Sequence, residues 1–259
     1  MPVVTGPSTA RVPVIFLPGI IAPAAIRYPR LFEALGDDVD PVAKDLEVYG
    51  GPSVPPPGYS LDTEIEGIAR VADERGFGRF HLYGHSGGGA CALAFTAVHP
   101  ERVLTLALDE PATDFSPEDH REMREVFLPM LQLPPEQRMP AFLRAQLREG
   151  VEPPSMLEGP PPPWMADRPA GVMAFVRAVS QADVPIERLK AFDRPVYYSL
   201  NSLSNPTWER KAKRLGELFP NMTVELYEGL SHLNSSHAAE PERVAAALRR
   251  LWNSKAEAG

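Results

Sequence analysis

The first 109 residues alternate between short apolar segments and segments with helical periodicity. The apolar segments are residues 12–17, 79–83 and 101–108, with a weaker one within residues 39–48. Such runs are typical of strands that are buried on both faces of a parallel sheet. Helices are predicted at residues 24–35, 60–76 and 90–98. The alternation predicts an α/β fold with a doubly wound, mostly parallel sheet.

The pattern changes after Glu110. Residues 111–192 contain no strand-like run, and their periodicity predicts helices at residues 117–131, 135–149 and 170–181. The alternation then resumes, with strands predicted at residues 195–200 and 222–227 and helices at residues 207–219 and 240–252. We therefore predict a core formed by residues 1–110 and 193–259. Residues 111–192 are predicted to form a helical cap over the carboxyl edge of the sheet.

Composition narrows the possible partners and the compartment. The chain of 259 residues suits one α/β domain with an insertion, and its net charge of −8 argues against nucleic acid or an anionic membrane as a partner. A single cysteine, Cys91, excludes an internal disulfide and fits a reducing compartment. Residues 1–11 do not have the charge pattern of a secretory signal, and no apolar run approaches ~18 residues. We expect a cytoplasmic protein, either a monomer or a homodimer.

The sequence Gly84-His85-Ser86-Gly87-Gly88 lies between a predicted strand and a predicted helix. This is the context in which a G-x-S-x-G motif forms a tight turn that exposes a serine nucleophile. Gly84 and Gly88 have no Cβ, so the strand and the helix can approach closely around the turn. The Gly87 N–H lies at a helix N-terminus, which favours negative charge. Ser86 is therefore the candidate nucleophile.

Taken together, the alternation, the serine turn and the late helical insertion resemble the α/β-hydrolase family, over residues 12–252. In that family the catalytic groups follow the chain order nucleophile, acid, histidine. The resemblance implies that His232, in the loop after the last predicted strand, is the catalytic base. His237 is the competing histidine, and we expect it to cap the next helix. We expect His85 to point away from the hydroxyl of Ser86.

The acid departs from the commonest family pattern. No carboxylate occurs between Pro195 and Thr207, and Asn205 occupies the position where many relatives carry aspartate. An amide cannot supply the charge that stabilises an imidazolium. The segment that ends in Asp109-Glu110 is instead similar to the haloalkane dehalogenase branch of the family. Because Glu110 matches the spacing of that branch, the resemblance implies Glu110 as the acid, with Asp109 as the alternative.

An oxyanion hole needs two hydrogen-bond donors. The Gly87 N–H is one candidate, and the second is expected from the loop after the first strand. Pro18 in that loop has no N–H, so we predict that Ile20 supplies it. No metal-binding constellation or phosphate-binding loop is found in the sequence, and we expect no cofactor and no metal.

These features predict an enzyme: a serine hydrolase that cleaves small to medium apolar esters, as a carboxylesterase or lactonase, through an acyl-enzyme on Ser86. Some of the apolar residues of the predicted cap are expected to line its pocket; they are Met123, Phe127, Met130, Leu131, Phe142, Trp164, Met165, Met173 and Phe175. No cluster of Arg or Lys indicates a strongly anionic substrate. Two alternatives remain open: a carbon–carbon bond hydrolase or cofactor-free perhydrolase with the same residues, and a non-catalytic receptor for a small molecule.

Overall fold

A computed structural model describes residues 11–130, 132–153 and 162–254. The prediction that the chain has no secretory leader depends on residues 1–11, of which 1–10 lie outside the described residues. Leu131, predicted as a pocket residue, also lies outside them.

One sheet of six parallel strands forms the centre of the molecule, in the order β2-β1-β3-β4-β5-β6. The strands are β1 (Val12–Leu17), β2 (Val39–Ala43), β3 (Phe80–His85), β4 (Val103–Asp109), β5 (Val196–Asn201) and β6 (Met222–Tyr227). The chain order reverses between β1 and β3, so the crossover helices cover both faces. The predicted doubly wound α/β sheet is confirmed.

The helices of the first half are α1 (Ala24–Arg27), α2 (Pro29–Leu35), α3 (Leu61–Glu74), α4 (Gly87–Val98) and α5 (Pro117–Glu122). Those of the second half are α6 (Leu128–Met130), α7 (Pro135–Arg144), α8 (Arg168–Gln181), α9 (Thr207–Leu218), α10 (Ser236–Ala239) and α11 (Pro241–Asn253). A π-helical turn, Met123–Phe127, joins α5 to α6.

Alternate residues of each strand enter two separate apolar cores. Ile15 and Leu17 of β1 belong to the core that includes residues of α3, α4 and α9, whereas Val14 and Phe16 belong to the core that includes residues of α2 and α11. This division follows from the strand periodicity of two residues. Both faces of the central strands β1, β3, β4 and β5 are therefore mostly buried, as the continuous apolar runs predict, whereas the edge strand β6 is largely exposed.

Proline and loop geometry change some of the predicted helix boundaries. The helix predicted at residues 24–35 is divided into α1 and α2 because Pro29 cannot donate the helical hydrogen bond and disfavours a helical residue before it. The helix predicted at residues 135–149 ends at Arg144. Leu147 beyond it forms an isolated antiparallel bridge with Ser204.

Helix α8, from the segment between β4 and β5, contacts residues near the carboxyl ends of the strands. Arg168 at the start of α8 stacks on the ring of Tyr49, with its guanidinium carbon 3.7 Å from the ring centroid. Phe175 of α8 approaches the serine turn: a Cβ on Gly87 would be 3.3 Å from its ring. The assignment of residues 111–192 to a separate cap domain stays a prediction. Among the helices of the described residues, none has the length and apolar character needed to cross a membrane.

Candidate active site

Ser86 lies on a strained turn between β3 and α4. Its backbone has φ 51° and ψ −116°, a region that non-glycine residues rarely adopt. The turn requires glycine at the neighbouring positions, because the backbones approach too closely there to leave room for a Cβ. A Cβ on Gly84 would lie 2.4 Å from the carbonyl oxygen of Gly88, and a Cβ on Gly88 would lie 2.4 Å from that of Leu17. The predicted requirement for glycine at both positions is therefore met by specific contacts.

Three side chains from distant parts of the sequence meet at this turn. His232 Nε2 lies 2.8 Å from Ser86 Oγ, and His232 Nδ1 lies 3.0 Å from Glu110 Oε2. When Nδ1 carries the imidazole proton, the serine hydroxyl donates to Nε2 and Nδ1–H donates to the carboxylate. This chain of hydrogen bonds can remove a proton from Ser86 and stabilise the resulting imidazolium. The structure therefore brings together the serine, histidine and glutamate selected from the sequence.

Glu110 is held by several donors. Its carboxylate, 0% exposed, accepts hydrogen bonds from the Asn201 N–H (2.8 Å, Oε1) and the Ser204 hydroxyl (2.9 Å, Oε2). The Trp208 indole N–H donates to its backbone oxygen at 2.9 Å, which helps fix a residue whose φ is 45°. These three partners lie more than 90 residues away in the sequence, and the sequence analysis did not identify them.

Asp109 serves a different histidine. Its Oδ2 accepts hydrogen bonds from the Tyr83 hydroxyl at 2.9 Å and from His237 Nδ1–H at 2.6 Å. Burial acts to raise the pKa of Asp109, but the hydrogen bond from His237 and the nearby imidazoles outweigh it and hold the pKa well below its usual value. The expectation that His237 caps a helix is wrong, since this ring is fully buried within α10 and paired with Asp109.

The His232 ring lies between two other rings. Trp208 is stacked on it with a centroid distance of 4.2 Å, and His85 lies parallel to it at 5.0 Å. The stacked indole therefore helps to fix the orientation of the His232 ring. Burial lowers the pKa of His85 well below its usual value, so His85 is neutral. As expected, it makes no hydrogen bond with Ser86, and neither ring nitrogen has a partner among the described residues.

The two candidate oxyanion donors lie near each other beside the serine turn. The Ile20 nitrogen lies close to Gly87: a Cβ on Gly87 would be 3.4 Å from it. Within the described part of the chain, no acceptor takes a hydrogen bond from the Ile20 N–H or from the Gly87 N–H. The Tyr49 hydroxyl donates to the Ile20 carbonyl at 2.6 Å, which anchors this part of the loop. Both candidate oxyanion donors are thus free to bind a ligand atom, as far as the described residues show.

Asn205 is engaged away from the imidazole. Its side-chain oxygen accepts a hydrogen bond from the Thr207 N–H at 3.0 Å, and its side-chain nitrogen donates to the Ala145 carbonyl at 3.2 Å. It therefore caps the start of α9 and ties this loop to the end of α7. His232 is oriented by Glu110 instead.

A cavity of about 150 Å³ opens beside Ser86 and His232. Its apolar walls include Ile21, Phe142, Leu143, Pro162, Trp164 and Met165. Besides Ser86 and His232, three polar side chains line it: Arg27, His85 and Gln146. The cavity is large enough for a group the size of a benzene ring.

A second, much smaller cavity of about 30 Å³ lies on the Gly87 side of Ser86. It has room for about one small group. Four of the predicted pocket residues line it: Met123, Phe127, Phe142 and Phe175. Met130 and Met173 face a separate small cavity that Ser86 does not line. In the described part of the chain no group of three or more His, Cys, Asp or Glu side chains is arranged to hold a metal ion.

Comparison with known families agrees with this geometry. The model of the Alpha/beta hydrolase family matches residues 14–247, which include every element that carries the site. The chain belongs to the Alpha/beta hydrolase family. The family match begins within β1 and ends within α11, so both Ser86 and His232 lie inside it.

Individual curated relatives match only part of the chain. The chain is 34% identical over 100 residues to Lipase LipV of Mycobacterium tuberculosis, which covers 37% of each protein. It is 33% identical over 96 residues to a poly(3-hydroxyalkanoate) depolymerase of Ectopseudomonas oleovorans, covering 37% of this chain and 34% of that protein. The matched segments thus span only about a third of the length of these curated relatives.

Solved structures share the fold along nearly the whole chain. A thermophilic esterase from Thermogutta terrifontis superposes with a TM-score of 0.68 at 21% identity, covering 92% of this chain and 88% of that one. Naproxen esterase from Bacillus subtilis superposes with a TM-score of 0.61 at 19% identity, covering 96% of this chain and 85% of that one. At such identities the similarity establishes the fold alone.

Proposed function

We propose that this hydrolase cleaves small to medium carboxylic esters, as a carboxylesterase or lactonase, through an acyl-enzyme on Ser86. The observation that carries the proposal is the hydrogen-bonded series Ser86–His232–Glu110 at the edge of an apolar cavity. The names of the relatives, a lipase and a depolymerase of a polyester, are consistent with ester substrates.

In the acylation step, His232 Nε2 accepts the proton of the Ser86 hydroxyl while Oγ attacks the ester carbonyl carbon. The oxyanion that forms accepts hydrogen bonds from the Ile20 and Gly87 N–H groups. Glu110 stabilises the imidazolium through Nδ1–H. The imidazolium then gives its proton to the leaving alkoxide, so an alcohol departs and the acyl group stays on Ser86.

Deacylation repeats the sequence with water as the nucleophile. His232 takes a proton from the water, whose oxygen attacks the acyl carbon. The second tetrahedral intermediate collapses as the imidazolium returns the proton to Ser86 Oγ. The carboxylic acid leaves and the resting hydrogen-bond series is restored.

Pre-steady-state hydrolysis of p-nitrophenyl butyrate tests this proposal. We expect the wild-type protein to release p-nitrophenol with turnover and to gain the mass of one butyryl group on Ser86 under acid quench. Ser86→Ala is expected to reduce kcat by about 10⁴-fold or more and to abolish the mass gain.

Ser199→Ala is the matched control, since Ser199 is also fully buried and makes no hydrogen bond with Ser86, His232 or Glu110 in the described part of the chain. It is expected to keep wild-type turnover. Absence of turnover in the wild-type protein across acetyl to octanoyl esters, with retained binding of the same esters, would instead identify a receptor.

A further inference from the structure

Arg27 is a charged residue in the mostly apolar lining of the larger cavity. It is the last residue of α1, and its side chain lines the same cavity as Ser86 and His232. One nitrogen, Nη2, donates to the Ser235 hydroxyl at 2.9 Å. Among the described residues, no carboxylate oxygen lies within 4.0 Å of its guanidinium group. The cavity therefore contains a cation with no counter-ion in contact.

Arg27 is half-buried, and the surrounding protein disfavours its charge. Desolvation lowers the pKa of Arg27 from its ordinary value, and the Coulombic influence of Tyr28 and Asp109 offsets this only in part. A partly desolvated charge without a counter-ion is costly, and an anion bound beside it would relieve that cost. A guanidinium group is suited to this because its donors match both oxygens of a carboxylate.

The smaller cavity provides an internal comparison. It too contains a cation, Lys211, but Lys211 Nζ lies 2.8 Å from Asp119 Oδ1 and both side chains are 2% exposed. That charge is neutralised within the protein. In the larger of these two cavities the cation has no carboxylate in contact among the described residues. A negatively charged ligand group would therefore be stabilised there, but not in the smaller cavity.

We infer that Arg27 binds an anionic group, a carboxylate, on the part of the ester that occupies the larger cavity. The inference deepens the proposed function and rests on it for the reaction, although not for binding. It revises the prediction from composition: one half-buried arginine in the cavity is sufficient to select an anion, and no cluster of basic residues is needed. The substrate class is then a short ester of a dicarboxylic acid or of an aromatic or hydroxy acid with a free carboxylate.

Ligand binding tests the inference without relying on catalysis. Benzoate and benzamide have nearly the same shape and differ in charge, and both suit a cavity of this size. In the Ser86→Ala protein, calorimetry is expected to show benzoate binding at least tenfold more tightly than benzamide. With Arg27→Gln added, the ratio is expected to fall below threefold. With Arg27→Lys, which keeps the charge but not the paired donors, an intermediate ratio is expected.

Arg30→Gln is the matched control, because Arg30 is exposed on the adjacent helix and, among the described residues, its side chain donates to the Ala238 carbonyl alone. It is expected to leave the ratio unchanged. Circular dichroism and the melting temperature establish that each variant is folded. A folded Ser86→Ala protein that binds both ligands equally, or neither, overturns the inference, as does a ratio that survives Arg27→Gln.

A kinetic comparison separates this inference from the proposed function. Mono-p-nitrophenyl glutarate carries a free carboxylate, and its methyl ester does not. We expect the ratio of kcat/KM for the first over the second to exceed ten in the wild-type protein and to fall at least tenfold in Arg27→Gln. Ser86-dependent turnover of both esters with no preference would keep the proposed function and overturn the role of Arg27. Anion binding without turnover of any ester would do the reverse.

Discussion

At the scale of single residues, two neighbouring acids pair with two different histidines. Asp109 is the last residue of β4, whereas Glu110 follows it in a left-handed conformation with φ 45°. Asp109 contacts His237 of α10, and Glu110 contacts His232 in the loop before α10. Only His232 of these two histidines contacts Ser86.

This division predicts different consequences for two amide substitutions. Glu110→Gln is expected to reduce kcat for p-nitrophenyl butyrate by about 10³-fold or more, because an amide cannot stabilise the imidazolium. Asp109→Asn is expected to destabilise the protein by about 3 kcal/mol, because it breaks a buried pair with His237. Its kcat, measured on the folded fraction, is expected to stay within tenfold of wild type.

Both variants are compared by steady-state kinetics and by urea unfolding. The assignment of Glu110 fails if Glu110→Gln retains wild-type turnover while folded Asp109→Asn loses it.

At the scale of elements, the strand, turn and helix around Ser86 form one unit, and most of it was predictable from the sequence. The motif, its flanking apolar runs and the later loop histidine all depend on short segments whose spacing is visible along the chain. The surroundings of Glu110 were not predictable. Asn201, Ser204 and Trp208 reach it only through the pairing of β4 with β5 and the placement of α9.

The role of Arg27 could not be predicted from the sequence, because it too depends on contacts between distant elements. In the sequence it is one arginine among many, and its place in the cavity beside Ser86 depends on where α1 lies relative to α10 and the sheet. The break between α1 and α2 at Pro29 is what a uniform helix prediction missed. Local pattern identifies elements, whereas cavity linings depend on how several elements pack.

The close backbone contacts of the glycines around Ser86 predict that a substitution of Gly84 is strongly destabilising. Gly84→Ala introduces a Cβ 2.4 Å from a backbone oxygen, so the turn is expected to distort, with a stability loss of about 3 kcal/mol or more and loss of ester turnover. Gly78→Ala is the control, since a Cβ there meets nothing within 4 Å. It is expected to leave stability unchanged or raise it by about 0.5 kcal/mol. Thermal melts of both variants measure this, and equal melting temperatures would contradict the packing argument.

At the scale of the whole molecule, buried histidines couple the fold to pH. Burial lowers the pKa of His81, to about 4, and burial likewise lowers the pKa values of His85 and His237. Each of these side chains is at most 8% exposed. In the unfolded chain these histidines bind protons below about pH 6.5, whereas in the folded protein they stay neutral to a lower pH. The stability that they contribute to the folded state is therefore fully present above about pH 6.5 and is lost as the pH falls.

His81 permits a direct measurement of this coupling. A shift from about 6.5 to about 4 corresponds to roughly 3 kcal/mol of stability lost between pH 7 and pH 4. In His81→Asn the free energy of unfolding is expected to fall less steeply over that range than in wild type, by this order. His99→Asn, at a more exposed histidine, controls for the removal of an imidazole. Parallel pH profiles for wild type and His81→Asn would refute the coupling.

The indole stacked on His232 gives the protein an optical reporter of its own chemistry. A protonated imidazole quenches the emission of an indole in contact with it, and Trp208 lies 4.2 Å from His232 between ring centroids. In a protein whose other tryptophans, Trp164 and Trp252, are replaced by phenylalanine, we expect the remaining fluorescence to fall when the proposed reaction transfers a proton to His232. Stopped-flow emission after mixing with an ester would then follow the proposed acylation step without a label.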